Sequence, residues 1–435
     1  MSTLLVTGST AVEIAESIER LIRDREIVTG HLLPAVRPLA AQLDVSPNTV
    51  AAAYKVLRDA QWVVTDGRRG TRVAALRAPE VPRHALPEHL RDLASGNVDG
   101  HLLPRLRGED WGHLPRDTGY DIQANEPQLL ALAARWLHSQ HLPSQDIGVF
   151  QGAMDCMEKA LRAHCRPGNR VLVETPCWPP VLALLASLRL KPVALASDTH
   201  GACVPSEQTL QDATAVILTP RAQNPTGRTF SAARWHAWTT ALQYAPGTLL
   251  MLDDHWGPLS HATPPMGMVM PALWVHITSA SKFLGPDLRL SVATGAPRVL
   301  ADMQRLQSLG SRWVSLLVQR LAARLWQQAL DEGLLPRAAD SYAQRRDALF
   351  DALERHGVQC ERGGEGMHVW LPVADEASAV QALASYGWGV QAGAPFHLGS
   401  GAAVRVSMAN LEIGDIEALA EDIARSLRLN RRPVY

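Results

Sequence analysis

Lysine is scarce in this sequence. Only four lysines, at positions 55, 159, 191 and 282, stand beside 38 arginines. Lys282 follows a Ser-Ala-Ser run in "ITSASKFLGPDLRLS". Arginine stays protonated at ordinary pH and does not readily condense with a carbonyl group, whereas a lysine amine can lose its proton and can condense. Lys282 is therefore a candidate nucleophile, and a surface charge is the alternative.

The sequence also lacks the features of a protein with a cysteine-bound metal, of a secreted protein and of a membrane protein. The five cysteines are odd in number and form no CxxC pair, so neither a disulfide framework nor a zinc site is indicated and no metal is expected. The N-terminus lacks the basic region of a secretory signal. No apolar run approaches the roughly 20 residues that span a bilayer. We therefore expect a reduced, cytoplasmic protein without membrane contact.

Length and local pattern predict several domains. The chain has 435 residues, too many for one ordinary core, and a net charge of -1, so any affinity for nucleic acid must be local. The pattern predicts a small unit over 1–76 and a linker or strap over 77–110, rich in proline, histidine and charge. A large domain over 111–310 and a smaller C-terminal subdomain over 311–435 follow.

The first unit reads as three short helices and two strands. "VRPLAAQL", the turn "DVS" and "PNTVAAAYKVLRDA" predict a helix–turn–helix, and "GRRG" joins two short strands that fit a wing. Between residues 37 and 72 six basic residues oppose three acidic ones. Bases would be contacted by small polar side chains, and phosphates by basic ones. A three-helix bundle with no role in DNA binding is the alternative. The candidate DNA-binding residues are Arg37, Asn48, Thr49, Lys55, Arg68 and Arg69.

The stretch from "LLPAVRPLAAQL" to "GRRGTRV" resembles the winged helix of GntR-type bacterial regulators. Their pattern combines leucine-proline, an arginine, a short helix, "TVxxAYxxL" and a glycine-flanked wing. This resemblance implies binding to double-stranded operator DNA and adds Tyr54 to the candidates. The sequence departs from the pattern at Pro47, where many members carry an arginine that contacts DNA.

Residues from about 111 onward alternate between apolar strands and helices. Strand-like runs include "VLVETP", "AVILTP", "TLLMLDD" and "LWVHITS", with helical stretches such as "MDCMEKALRAHC" between several of them. This alternation predicts an α/β domain with a mostly parallel sheet covered by helices. The last hundred residues predict a smaller α+β unit, with strands at "MHVWLPV" and "AAVRVSMA".

The large domain offers a residue for each role in the chemistry of a carbonyl cofactor. Such a cofactor needs a lysine that condenses with it, a carboxylate on its ring nitrogen, donors to its ring oxygen and phosphate, and a stacking aromatic ring. Each candidate has a structural alternative as a cap, turn, core or surface residue. The specific signal is spacing, since residues 224, 253 and 282 each follow a separate predicted strand at intervals of 29 residues. The candidates are Gly152, Ala153, Trp178, Asn224, Asp253, Ser279, Ser281, Lys282 and Arg289.

Residues 92–430 resemble the fold-type I aminotransferases, which use pyridoxal 5'-phosphate. The resemblance implies that Lys282 forms the bond to the cofactor, Asp253 pairs with the pyridine nitrogen and Asn224 donates to the ring hydroxyl. Trp178 then falls at the stacking aromatic, and the phosphate contacts fall on Gly152, Ala153, Ser279, Ser281 and Arg289. Arg405 in "AAVRVSMAN" corresponds to the arginine that holds a substrate carboxylate. Tyr120 falls where a tyrosine of a partner subunit reaches the phosphate. His255 stands where members usually have a tyrosine, and imidazole can also donate to the ring oxygen.

A winged helix followed by an aminotransferase-like domain is the arrangement of the MocR subfamily of GntR regulators, and "DDHWGPLS" resembles its PtsJ-type branch. The resemblance implies a homodimeric transcription regulator that senses pyridoxal phosphate or an amino compound. The alternatives are an active aminotransferase with an N-terminal appendage, because the catalytic residues are present, and a regulator that does not bind the cofactor, against which Lys282 speaks.

Overall fold

The computed structural model describes residues 6–60, 62–66, 70–74, 86–108, 119, 124–262, 270–399 and 401–429. The chain divides into two compact units. The first consists of Met1–Val81 with Cys165–Arg170 and Leu182–Pro192, and the second of Pro82–His164, Val171–Val181 and Val193–Tyr435.

The N-terminal region forms a helix–turn–helix followed by a two-stranded hairpin. Its elements are α1 (Ala11–Arg23), α2 (Val36–Leu43), α3 (Pro47–Asp59), β1 (Val63–Thr65) and β2 (Thr71–Val73). β1 and β2 pair antiparallel, as a wing requires. α3 begins at Pro47, the first residue of the stretch predicted as this helix, and the Ser46 hydroxyl caps it by accepting the Thr49 N–H at 3.1 Å.

One hydrophobic core holds these elements together. Ile14 and Ile18 of α1, Leu39 of α2, and Val50 and Leu57 of α3 are at most 1 % exposed. Each such side chain contributes about 1.5–3 kcal/mol on burial. α3 thus buries one face, with Val50, Ala53 and Leu57, and the opposite face is left for other contacts.

The remaining chain alternates between strands and helices. The helices are α4 (Pro127–Ser139), α5 (Ala153–His164), α6 (Pro179–Ser187), α7 (Glu207–Gln211), α8 (Ala232–Gln243), α9 (Pro297–Leu309), α10 (Leu316–Asp331), α11 (Leu334–Arg355), α12 (Glu376–Ser385) and α13 (Ile416–Leu429). The strands are β3 (Arg91–Leu93), β4 (Gly148–Phe150), β5 (Arg170–Glu174), β6 (Lys191–Leu195), β7 (Ser197–Asp198), β8 (Gly201–Ala202), β9 (Ala215–Leu218), β10 (Leu249–Asp253), β11 (Trp274–Ser279), β12 (Ser291–Gly295), β13 (His368–Pro372), β14 (Trp388–Ala392) and β15 (Ala403–Ser407).

A seven-stranded sheet organises the large domain, in the order β4-β12-β11-β10-β9-β5-β6. β5, β9, β10 and β11 are parallel neighbours, whereas β12 runs antiparallel to β11 and β4. Every residue of β9, β10 and β11 is buried, which explains why these strands read as continuous apolar runs. The predicted α/β class is confirmed, and the carboxyl ends of the parallel strands share one edge.

A four-stranded sheet, in the order β13-β15-β14-β3, forms the smaller subdomain. β13 and β14 run antiparallel to β15, and Val369, Leu371, Val404 and Val406 face a core closed by α11, α12 and α13. β13 and β15 were predicted from the sequence, whereas β14 and β3 were not. β3 lies within 77–110, the segment assigned to a linker or strap, and pairs in parallel with β14. This segment therefore supplies an edge strand to a sheet built from the C-terminal part of the chain.

Within the described residues, no helix is long and apolar enough to cross a membrane, and no group of three or more histidine, cysteine or acidic side chains could hold a metal ion.

Candidate functional site

The predicted cofactor residues gather at the carboxyl edge of the large sheet. Asp253 is the last residue of β10, and Ser279 is the last residue of β11, three residues before Lys282. Gly152 follows β4, which runs parallel to β11 because both pair antiparallel with β12. Asn224 lies six residues beyond β9. The open end of a parallel sheet is where α/β proteins bind ligands.

Lys282 lies at the centre of this edge. Its Nζ donates to the carbonyl oxygen of Gly96 at 2.6 Å. Burial, and then the positive charge of Arg405, lowers the pKa of the lysine to about 8, against the opposite influence of the Asp253 carboxylate. The neutral amine is therefore far more populated near physiological pH than in an ordinary lysine. A neutral amine is the form that attacks a carbonyl carbon.

Asp253 provides a carboxylate at the same place. The residue is 7 % exposed, and its Oδ1 has no hydrogen-bond partner among the described residues. Burial and the neighbouring Asp254 raise the pKa of Asp253 to about 7, while Lys282 opposes this rise. A buried, half-titrated carboxyl with a free oxygen is suited to a cationic N–H donor, such as a protonated pyridine nitrogen.

Asp254, the next residue, is held as an anion on the other side of the strand end. Arg221 donates to it through Nε at 2.8 Å and Nη2 at 2.6 Å, and His276 Nε2 lies 3.0 Å from its Oδ2. Arg221 and His276 keep the pKa of Asp254 below its ordinary value despite complete burial. Arg221 also donates to Gln140. The negative charge of Asp254 adds to the effect of burial in raising the pKa of Asp253.

Arg405 reaches the site from the smaller subdomain. Its Nη1 donates to Asn224 Oδ1 at 3.0 Å, and its Nη2 donates to the carbonyl oxygen of Ala94. The guanidinium also lies over the Phe396 ring, 5.1 Å from the ring centroid. Burial lowers its pKa to about 10. Arg405, the predicted partner of a substrate carboxylate, and Asn224, the predicted donor to the ring oxygen, are therefore in direct contact.

The predicted phosphate residues form a second group. Gly152 has φ +87°, and a Cβ placed on it would lie 3.2 Å from Arg289 Nη2. A side chain at this position would therefore crowd the arginine and close the gap that a phosphate needs. Ala153 begins α5, whose first N–H groups suit an anion. Ser279 Oγ donates to Ser281 Oγ at 3.1 Å.

The other predicted residues have different placements. His255 follows Asp254, and burial, then Lys282, lowers its pKa to about 4, so the imidazole is neutral. Trp178 is half-buried before α6, and the N–H of Cys177 beside it donates to the Phe396 carbonyl oxygen. Tyr120 lies outside the described residues, so its predicted contact with a partner subunit stays a prediction.

These residues fit pyridoxal phosphate. The orphaned Asp253 oxygen matches a ring N–H, the Lys282 amine matches an aldehyde, and the glycine-lined gap beside Arg289 matches a phosphate. Arg405 remains for a carboxylate, the group that arginine binds in a bidentate manner.

The winged helix presents a candidate DNA surface of its own. Arg37, Asn48 and Lys55 are exposed, and Thr49 is partly exposed. Tyr54, by contrast, is 5 % exposed and donates its hydroxyl to the Pro34 carbonyl at 2.6 Å, so it belongs to the core rather than to the outer face. Arg68 and Arg69 lie outside the described residues.

Sequence reasoning missed several residues of the site. Gly96 lies in the segment read as a linker, and Arg221 and His276 are 33 and 22 residues away from the Asp254 that they contact. His368 is 5 % exposed and lies in the electric field of Arg405 and Lys282. The alternation of β13 was a usable signal, since it puts His368 on the face opposite Val369.

The winged helix and the sheet-edge site together define a class of protein, a DNA-binding regulator that carries an aminotransferase-like domain. Residues 90–423 match the family "Aminotransferase class I and II", and residues 10–73 match "Bacterial regulatory proteins, gntR family". The chain belongs to the regulators that combine these two parts, the MocR-type regulators.

Similar proteins share the whole arrangement or the fold. The vitamin B6 salvage pathway transcriptional repressor PtsJ of Salmonella typhimurium is 34 % identical over 430 residues, covering 97 % of this chain and all of the relative. The pyridoxine biosynthesis transcriptional regulator PdxR of Corynebacterium glutamicum is 26 % identical, covering 91 % of this chain and 90 % of that protein. The kynurenine aminotransferase of Pyrococcus horikoshii has a TM-score of 0.72 at 19 % identity, covering 80 % of this chain and 92 % of that one. The predicted fold class and subfamily are confirmed, and the regulator is favoured over the enzyme.

Proposed function

We propose that this protein is a cytoplasmic, homodimeric transcription regulator whose aminotransferase-like domain binds pyridoxal phosphate at Lys282, and whose hold on operator DNA depends on that binding. One observation carries the proposal: Lys282 and Asp253 follow or end neighbouring strands in one buried site, where Asp253 Oδ1 has no hydrogen-bond partner among the described residues. The names of the relatives PtsJ and PdxR support a vitamin B6 compound as the effector.

Bound pyridoxal phosphate supplies an aldehyde for the lysine and a ring that withdraws electrons. The chain supplies the rest. Asp253 would hold a proton on the ring nitrogen, and Asn224 would orient the ring oxygen from its place beside Arg405. Ser279, Ser281 and Arg289 would receive the phosphate next to Gly152. His255, kept neutral, would donate one N–H or accept one proton at the ring.

Regulation follows if the site differs between its bound and free states. Lys282 now donates to Gly96, and a lysine nitrogen that has condensed with an aldehyde has fewer protons to donate. The Gly96 carbonyl, in a partly buried residue, would then lose this partner. The bond that fixes the segment after β3 to Lys282 would be gone, so ligand binding would be coupled to a change in backbone position.

An active aminotransferase is the second candidate. Arg405 favours it, because a pure sensor of pyridoxal phosphate needs no partner for an amino acid carboxylate. Steady conversion of an amino acid and a keto acid, on the order of 1 per second or faster, would support the enzyme.

Footprinting tests the regulator directly. Full-length protein is placed on the DNA upstream of its own and neighbouring genes, with and without pyridoxal phosphate. We expect a protected site whose affinity changes on adding the compound, and no such change in Lys282→Ala. Identical protection by wild type and Lys282→Ala, each with and without pyridoxal phosphate, would refute the ligand dependence. Absence of protection on all of this DNA would refute the role as a regulator.

A further inference from the structure

One face of the small sheet carries polar side chains next to the aromatic ring of Trp370. In β13 and β15, His368 pairs with Ser407, and Trp370 pairs with Arg405. Val369 and Val406, between them in sequence, point into the subdomain core. Since side chains alternate along a strand, His368, Ser407 and Arg405 share the opposite face. Directly paired residues have Cβ atoms about 4.5–5.5 Å apart, so His368 and Ser407 are in reach of each other.

Three polar atoms on this face are buried without hydrogen-bond partners among the described residues. They are His368 Nδ1, Ser407 Oγ and Arg405 Nε. The three residues are only 3–5 % exposed. Leaving a buried polar group unpaired costs about 1–3 kcal/mol, so native proteins rarely do so without a reason. Three such atoms side by side point to a polar group that arrives from outside.

His368 lies close enough to Lys282 and Arg405 for their charges to act on it. Burial lowers the pKa of His368 well below its ordinary value, and the positive charges of Arg405 and Lys282 lower it further. The imidazole is therefore neutral, with one N–H to donate and one nitrogen to accept. The Ser407 hydroxyl likewise donates and accepts.

We propose that His368 and Ser407 form a subsite, beside Arg405, for the side chain of an α-amino acid ligand, and that this subsite selects short side chains bearing a hydrogen-bonding group over aliphatic ones of the same size. The inference rests on the proposed function in assigning the ligand's carboxylate to Arg405 and its amino group to the region of Lys282. It specifies which amino acid side chains the subsite at His368 and Ser407 accepts.

The selectivity follows from whether each ligand gives hydrogen-bond partners to the buried atoms of His368 and Ser407. A carboxamide side chain satisfies the orphaned nitrogen and hydroxyl together, since it has both a donor and an acceptor. An aliphatic side chain of equal shape would cover both atoms and exclude water from them. A site with buried polar groups rejects ligands that lack the matching group more strongly than an apolar pocket rejects a missing methylene.

The test compares asparagine with leucine, which have nearly the same shape. Binding to full-length, cofactor-loaded protein is measured by calorimetry and by the change in the visible band of the cofactor. We expect asparagine to bind roughly tenfold more tightly or better. In His368→Phe the preference should disappear or reverse, because the polar atoms are gone while the ring remains. Ser407→Ala should reduce it and serves as the second variant if His368→Phe does not fold.

His397→Phe is the matched control. His397 also has a buried nitrogen, Nε2, without a partner among the described residues, but it packs on Trp370 from a separate segment beyond β14. This variant should keep the wild-type preference. Equal affinity for the two amino acids in wild-type protein, or binding of neither, would overturn the subsite. If wild-type protein takes up no cofactor, the proposed function fails instead, and calorimetry on the cofactor-free protein still decides the asparagine preference.

Discussion

Lys282 Nζ and the carbonyl oxygen of Gly96 are 2.6 Å apart, although the two residues are separated by 186 positions in the chain. The same short segment offers the Ala94 carbonyl to Arg405. Asp92 holds the start of this segment by accepting the N–H groups of Ala94 and Ser95. Asp99 holds its end, through Arg345 at 2.8 Å and through the Tyr342 hydroxyl, which accepts the Asp99 N–H. The segment is thus fixed at both ends and accepts hydrogen bonds from Lys282 and Arg405 in between.

Replacing Lys282 tests the covalent role. Lys282→Ala should abolish the visible absorption band that wild-type protein shows with pyridoxal phosphate, because no other described lysine lies at the sheet edge. Circular dichroism should remain unchanged. Lys191→Ala removes a partly exposed lysine at the start of β6 and should leave the band intact. A band of wild-type strength in Lys282→Ala would contradict the assignment.

The pH dependence of cofactor capture follows from the lowered pKa of Lys282. The neutral amine reacts, so the rate of band formation should rise by about tenfold per pH unit below pH 8 and level off above it. Stopped-flow absorbance from pH 6 to 10 measures this profile. An ordinary lysine would still gain rate beyond pH 9, and that result would contradict the buried, electropositive setting of Lys282.

The same shift predicts how the stability of the cofactor-free protein varies with pH. The folded-state pKa of Lys282, about 8, lies below its ordinary value of 10.5, so the native state binds fewer protons than the unfolded state in that interval. The contribution of Lys282 to the free energy of unfolding should therefore rise with pH from about 8 to 10.5. Urea unfolding of wild type and Lys282→Met should show this rise only in wild type.

Replacing each of the two adjacent carboxylates by asparagine should affect different properties of the protein, stability at Asp254 and cofactor affinity at Asp253. Asp254→Asn removes the partner of a buried Arg221 and should destabilise the protein by roughly 3–5 kcal/mol. Asp253→Asn removes a carboxyl whose burial raises its pKa, so the cofactor-free protein should keep its stability while its affinity for pyridoxal phosphate falls. Urea unfolding and cofactor titration of both variants test the contrast. Equal stability losses would refute the distinct roles.

The winged helix allows a similar separation of binding from folding. Lys55→Ala should weaken DNA binding to every sequence and reduce the salt slope by about 1, since Lys55 is exposed and suited to a phosphate. Arg68→Ala with Arg69→Ala should do the same at the wing. Tyr54→Phe should instead cost about 0.5–1.5 kcal/mol of stability by removing the bond to the Pro34 carbonyl. Fluorescence anisotropy across a salt series measures binding, and a Tyr54→Phe protein with a changed salt slope would contradict its core position.

Local signals explain what could be predicted. The buried strands β9, β10 and β11 appear as continuous apolar runs, and their ends carry the polar residues that gather at the sheet edge. The start of α3 could be read from the sequence because serine is typical of the residue before a helix and proline of its first residue, as at Ser46 and Pro47. The same holds for the outline of the site around Asn224, Asp253 and Lys282, since each follows its own strand.

Long-range pairings explain what could not. β3 is three residues long and gains its partner β14 some 300 positions later, so no local pattern marks it. Arg221, Asp254 and His276 come together only because β9, β10 and β11 are neighbours, and each alone looks like an ordinary polar residue after or within a strand. Tyr54 became a DNA-binding candidate through the resemblance to GntR-type regulators, yet its ring packs inward and its hydroxyl donates to the Pro34 carbonyl.

β3 also limits how this protein can be taken apart or rebuilt. A chimera that grafts a foreign DNA-reading head onto the chain at residue 110, the end of the apparent linker, would discard Arg91–Leu93 and leave β14 with a bare flank. Unpaired strand flanks recruit other chains and promote aggregation. A chimera with an exchanged DNA-binding domain therefore needs its junction upstream of residue 86, so that the small sheet keeps β3 as its edge strand.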